Sequence, residues 1–223
     1  MQSYSLHGLD LKLLKYIDYK NGFFIEAGAN DGLSQSNTAL YEFDLNWKGL
    51  LVEPIFNKYL ECRRTRKNSI VENYALVGKN HNKKTIRGNF DETGYAESLT
   101  ACVCDDGDYN DDRLIELKKN LIDHNQWAKE HGYHPIVEVP AITIGELLKK
   151  HKIEKIDLFS LDVEGYEISV LNGLDFLIHR PKYFLIEMTY DERKEAIAEY
   201  MMSKNYRMVE YFTQNDCLWI DDK

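Results

Sequence analysis

Apolar positions along the chain alternate between helical spacing and short continuous runs. Leu6, Leu9, Leu13, Leu14 and Ile17 recur at helical spacing and predict a leading helix over Leu6–Tyr19. Phe23-Phe24-Ile25 is a short apolar run ending in a glycine-containing turn, the pattern of a buried strand that feeds a loop. Ser36 or Asn37 is placed to cap a helix running to about Leu45. Gly49–Val52 reads as a second strand, stopped by Glu53-Pro54, with a helix over about Asn57–Lys67 and a third strand over Ile70–Leu76 behind it. The middle is less regular: a short strand at Thr85–Arg87, a loop over Asn89–Asp112 and a long helix with a charged face over Leu114–Glu130. The rhythm returns with a strand at Ile136–Ile142, a helix at Thr143–Lys150, a buried strand at Ile156–Val163 and a helix from Gly165 to about Leu174. A strand at Tyr183–Met188 and a helix at Glu192–Lys204 follow. Two final β runs, Arg207–Phe212 and Cys217–Ile220, flank Thr213–Asp216, a hairpin signal. Strands alternating with helices predict an α/β fold with a mostly parallel sheet, helices on both faces and an antiparallel C-terminal hairpin.

Composition narrows the class. The 223 residues are 43% hydrophobic and 29% charged, which suits a packed core rather than disorder. No repeat or Pro/Gly-rich linker divides them, so one domain over residues 1–223 is expected, with an irregular insert at about 80–135. The net charge of −9 argues against a nucleic-acid partner, because phosphate contacts call for a basic face. Arg63, Arg64, Arg66 and Lys67 form the nearest basic cluster, and their spacing reads as the solvated end of a helix. No apolar run approaches the roughly 20 residues of a membrane span, and the first residues lack the pattern of a signal peptide. Cys62, Cys102, Cys104 and Cys217 form no metal-ligand array and are expected as free thiols in a reducing cytoplasm. The acidic run at 105–112 does not match an EF-hand and reads as a solvated loop.

Candidate chemistry begins at the first strand-to-helix turn, Glu26-Ala27-Gly28-Ala29-Asn30-Asp31-Gly32. Ligands of open α/β sheets bind beyond the carboxyl ends of the strands. Gly28 and Gly32 let backbone approach a ligand, while Glu26 and Asp31 would repel a pyrophosphate and attract a cationic amino-acid group. The G-x-G-x-x-G spacing of dinucleotide sites is absent. Glu53, at the end of the second strand, is placed to accept hydrogen bonds from both ribose hydroxyls. Together these favour an adenosyl ligand without phosphates.

A second constellation is acidic. Asp162 and Glu164 close one strand and Glu187 closes the next, so three carboxylates are expected at one edge of the sheet. They have three possible uses: removing a proton from an acceptor hydroxyl, holding a divalent cation such as Mg²⁺, or hydrogen-bonding the ligand and a helix N-terminus. Histidines His81, His131 and His134 lie in the irregular middle, and His134 is the third candidate base after Asp162 and Glu164. Tyr95 and Trp127 are candidates to line an acceptor pocket.

The segments FFIEAGANDG, SNT, LLVEP, VPAITIGELL and IDLFSLDVEGYEISVLNGL, in that order, resemble the FkbM family of S-adenosylmethionine-dependent methyltransferases over about residues 22 to 220. The resemblance implies a Rossmann-like class I methyltransferase sheet with a reversed last strand. It implies that Glu26, Gly28, Asn30 and Gly32 cradle the methionine part, with Asp31, Ser36 and Asn37 beside them. Glu53 would hold the ribose, Ala75 and Leu76 would lie near the adenine, and Asp162 and Glu164 would border the site of transfer. It further implies O-methylation of a sugar, so a small-molecule or glycan acceptor is the expected partner. Two rivals use the same sheet: an NAD-dependent oxidoreductase, disfavoured by the missing glycine and the acidic turn, and a non-catalytic module that binds the cofactor without turnover. Oligomeric state has no signature in the sequence.

Overall fold

The structure, a computed structural model, describes residues 1–90, 103, 130, 136–189 and 191–223. Four parallel strands form the centre of the main sheet: β1 (Phe23–Ala27), β2 (Lys48–Val52), β7 (Leu158–Leu161) and β8 (Tyr183–Glu187). β3 (Ile70–Glu72) extends one side in parallel. On the other side β10 (Asp216–Asp221) runs antiparallel to β8, and β9 (Tyr206–Tyr211) runs antiparallel to β10. The order is β3-β2-β1-β7-β8-β10-β9. It reverses at β1, which leaves a crevice at the carboxyl edge between β1 and β7.

Successive strand residues feed opposite cores, as expected for parallel strands covered on both faces. Phe24, Leu51, Leu158, Leu185 and Leu218 pack with α1 (Leu9–Leu13) and α2 (Ala39–Leu45) on one face. Ile25, Leu50, Phe159, Phe184 and Ile186 pack on the other with α4 (Ile144–His151), α5 (Glu167–Asn172) and α6 (Asp191–Ser203). Helix α3 (Phe56–Thr65) follows β2 and buries Cys62. Helix α4 starts at a full capping box, with the Thr143 hydroxyl accepting from Glu146 N and the Glu146 carboxylate accepting from Thr143 N.

Two expectations need revision. The leading helix is shorter than Leu6–Tyr19: a 3₁₀ turn at Leu6–Gly8 precedes α1. His7 and Gly8 take left-handed φ of 55° and 66°, and the buried Asp10 carboxylate gathers donors from Ser3, Tyr4 N, Ser5 and Leu11 N. That local wrapping competes with helix formation. The run Ile70–Leu76 is also two strands rather than one. Asn73 Nδ2 donates to the carbonyls of Glu53 and Pro54 at 2.8 and 2.9 Å, and this pins the chain between β3 and β4 (Ala75–Leu76). β4 then joins a small second sheet, β4-β6-β5, with β5 (Thr85–Asn89) and β6 (Ile136–Ile142). β6 therefore lies outside the main sheet. Apart from Glu130, the helix expected at Leu114–Glu130 lies outside the described residues, as do the acidic run at 105–112, Cys102 and Cys104.

Candidate active site

A cavity of about 360 Å³ opens at the carboxyl edge of the main sheet, a normal size for a small-ligand site. Its wall takes residues from the first turn, from the end of β2, from β4, from the segment after β7 and from the meeting of β8 with β10. Leu6 and Leu9 from the N-terminal segment also border it.

The first turn is held by close backbone packing. Gly28 has φ 79°, and a Cβ there would sit 1.9 Å from the Asp162 carbonyl oxygen. Gly32 also has φ 79°, and its Cβ would meet Cys62 Sγ at 2.7 Å and Arg66 Cγ at 2.8 Å. Both glycines thus admit protein rather than ligand, although Gly28 also borders the cavity. Asp31 does not border it. The Asp31 carboxylate accepts from Leu33 N, Ser34 N and the Ser34 hydroxyl and shapes its own turn.

Glu26 is 3% exposed and its carboxylate is surrounded by donors. It accepts from the Ser36 hydroxyl, from Asn37 N at 2.8 Å, from the Thr38 hydroxyl at 2.6 Å and from Arg66 Nη1 at 3.4 Å. The basic cluster is corrected here: Arg63, Arg64 and Lys67 are exposed, but Arg66 is fully buried. Arg66 Nε also donates to Glu42 Oε2 at 2.8 Å. Sequence spacing on α3 gave no sign of this, because Arg66 lies just past the helix, where the chain turns inward.

Glu53 is buried at the cavity wall, where Oε2 accepts from Asn30 N and Oε1 from Ile55 N, both at 2.8 Å. Burial raises its carboxyl to about 7, and those two backbone hydrogen bonds hold it from rising further. Asn30 Oδ1 and Asn37 Oδ1 are buried with no partner, and both residues line the cavity. Asn37 Nδ2 donates to Ser160 Oγ at 3.1 Å, which fixes the amide and leaves its oxygen for a donor on a ligand. Ser160 was not singled out in the sequence, where it reads as one more position of a buried strand. Ala75, Leu76, Pro54 and Ile55 add apolar wall.

Asp162, Glu164 and Glu187 are brought together: one oxygen from each lies within 4.8 Å of the others. Strand alternation is not the cause, since β7 ends at Leu161. Glu164 and Gly165 instead take φ of 54° and 92°, a tight turn before α5. For a non-glycine residue such a conformation costs about 1 kcal/mol or more and is typical of functional sites. Burial, then the charges of Glu187 and Glu164, hold the Asp162 carboxyl well above the usual carboxylate range. Asp162 and Glu187 share a hydrogen bond, so one of the two carries the proton. Burial and the Glu187 charge raise Glu164 to about 7. The three oxygens suit a divalent cation as well as a proton. His131, His134, Tyr95 and Trp127 lie outside the described residues.

A family model described as the methyltransferase FkbM domain matches residues 26–208. The chain belongs to this family. FkbM methyltransferases take S-adenosylmethionine as methyl donor, and the cavity fits that group. Among the described residues it offers two orphaned amide oxygens to hydroxyl or ammonium donors, a carboxylate beside them and no cluster of cations for a phosphate. Among solved structures, Aeropyrum pernix fibrillarin with natively bound S-adenosyl-L-methionine is similar at 10% identity and TM-score 0.45, over 90% of this chain and 66% of that one. The methyltransferase domain of bacterial CtHen1-C is similar at 11% identity and TM-score 0.43, over 96% and 94% of the two chains. A human methyltransferase 10 domain containing protein is similar at 8% identity and TM-score 0.47, over 96% and 82%. The assignment rests on the sequence match and the strand order rather than on these likenesses. No curated protein sequence matches the chain. Among the described residues, no helix is long and apolar enough to cross a membrane.

Proposed function

We propose that the chain is a cytoplasmic O-methyltransferase acting on a sugar hydroxyl of a nucleotide sugar, a surface glycan or a glycosylated natural product. One observation carries this reading: Glu53 and the two orphaned amide oxygens share a single cavity with Asp162, Glu164 and Glu187. Strand order supports a division of labour. Glu53 follows β2, while Asp162 and Glu164 follow β7 and Glu187 ends β8, two to three strand spacings away, about 10–14 Å. S-Adenosylmethionine, when bound, supplies an electrophilic methyl group. Glu53 would hold its ribose, Asn30 and Asn37 its hydrogen-bond donors, and Ala75 and Leu76 its flat ring. Glu164 takes the proton of the acceptor hydroxyl at its carboxylate, because a group near 7 is half ionised under working conditions. Asp162 is the weaker candidate base, since its carboxyl shares a hydrogen bond with Glu187. The carboxylates also suit neighbouring sugar hydroxyls as hydrogen-bond acceptors.

The test is incubation with S-adenosylmethionine and a panel of nucleotide sugars and glycans. The expected product is heavier by one CH₂ and methylated on oxygen; turnover confined to amine or carbon acceptors would overturn the reading. Full activity in EDTA is expected if Glu164 acts as the base, and a loss restored by Mg²⁺ would assign the three acids to a cation instead.

A further inference from the structure

We propose that Arg66 is the positioning residue of the cofactor cradle. From outside the cavity its guanidinium fixes the Gly32–Thr38 loop and the Glu26 carboxylate, and so aims Asn37 Oδ1 at the amino-acid end of the donor. Arg66 does not line the cavity. Among the described residues, all but one of the guanidinium's hydrogen-bond partners nevertheless belong to the cradle. Nη1 donates to the Gly32 carbonyl at 3.0 Å, to Ser36 Oγ at 3.1 Å and to Glu26 at 3.4 Å, and Nη2 donates to Thr38 Oγ1 at 3.0 Å. The remaining partner, Glu42, lies in α2, and its other hydrogen bonds come from Asn68 N and Ser69, just past Arg66. The guanidinium also lies over the rings of Phe24 and Phe43. It thereby ties β1, the loop, α2 and the end of α3 to one point.

Stability does not explain the arrangement. Two buried carboxylates and one buried guanidinium pay heavy desolvation, and well-packed apolar residues of similar volume often serve a fold equally well or better. A planar fork with five donors supplies something else, a fixed geometry for a loop that has no regular structure of its own. The relay reaches the cavity in two steps. Glu26, held by Arg66, accepts from Asn37 N at 2.8 Å. Asn37, held there and through Ser160, keeps an unpartnered oxygen at the cavity wall.

The inference rests on the donor assignment and not on the identity of the acceptor. Its test measures the binding of two probes by titration calorimetry: S-adenosylmethionine, and 5′-methylthioadenosine, which lacks the amino-acid end. Arg66→Lys keeps the charge but loses the fork. It is expected to weaken S-adenosylmethionine about tenfold or more, about 1.4 kcal/mol or more, and leave methylthioadenosine within about twofold. Thr38→Val, a gentler change that removes one link, is expected to move the same probe in the same direction by a smaller factor. Arg180→Met breaks a comparable Arg–carboxylate pair, with Asp221, at the opposite edge of the sheet and is expected to change neither affinity. Unchanged S-adenosylmethionine affinity in Arg66→Lys, or an equal loss for both probes, would overturn the proposal. Wild-type protein that binds neither probe would instead sink the donor assignment on which it stands.

Discussion

Glu164 concentrates the proposed chemistry of the site in one side chain. It stands in a left-handed conformation, faces Asp162 and Glu187, and is raised to about 7. Glu164→Gln keeps the shape and removes the proposed base, so kcat is expected to fall about 100-fold or more while the S-adenosylmethionine Kd stays within a small factor. Wild-type kcat should rise with pH through about 7, and a flat profile would take Glu164 out of the base role. Stability should run the other way. Asp162, Glu164, Glu187 and Glu53 have folded pKa values above their unfolded ones, so the folded chain binds more protons. For Glu53 and Glu164 that contribution is complete below about pH 4.5 and is lost as pH rises through about 7; Asp162 and Glu187 act in the same direction. The ligand-free protein should therefore melt at a lower temperature at about pH 8 than at about pH 5, and Glu164→Gln should flatten that slope. Residues such as Glu53 and Asp162 were legible in the sequence because an acid at a strand end has few ordinary uses. Arg66 was not, because a charged residue past a helix reads as solvated unless its partners, forty and twenty-four positions upstream, are already in place.

At the scale of elements, the strand–turn–helix units set where these side chains stand. The contact between the first turn and the end of β7 is a backbone contact, which a methyl group would break. Gly28→Ala combines a left-handed φ with a Cβ 1.9 Å from a carbonyl that cannot rotate away, so a loss of about 2–4 kcal/mol is expected by chemical denaturation. Gly165→Ala is the useful comparison. Its Cβ would meet the far end of the Arg193 side chain, which can move, so a smaller loss is expected. Equal losses would mean that conformational strain, rather than the turn-to-strand contact, sets the cost. Most elements were readable from period alone, because buried parallel strands are apolar on both faces and the helices between them are amphipathic. Two were misread for local reasons. Asn73 divides a continuous β run with side-chain hydrogen bonds, and Asp10 gathers the N-terminal donors that a longer helix would have used. Neither effect shows in a hydrophobic pattern.

The whole molecule should respond to its donor as a ligand that binds only the folded state. S-Adenosylmethionine at about a hundred times its Kd is expected to add about 2.7 kcal/mol and raise the melting temperature by about 5–10 °C for a chain of this size. NADH should produce no such shift. The reversed strand β10 has a consequence of another kind. Parallel strands present their last residues at the carboxyl edge, but β10 arrives there with its first, Asp216, paired with Glu187 and bordering the cavity. Asp216 thus puts the end of the C-terminal hairpin turn on the rim of the site, although it lies beyond the reach of the family match, which ends at residue 208. A lineage could retune what this pocket accepts by editing Asp216 and leave every signature segment untouched.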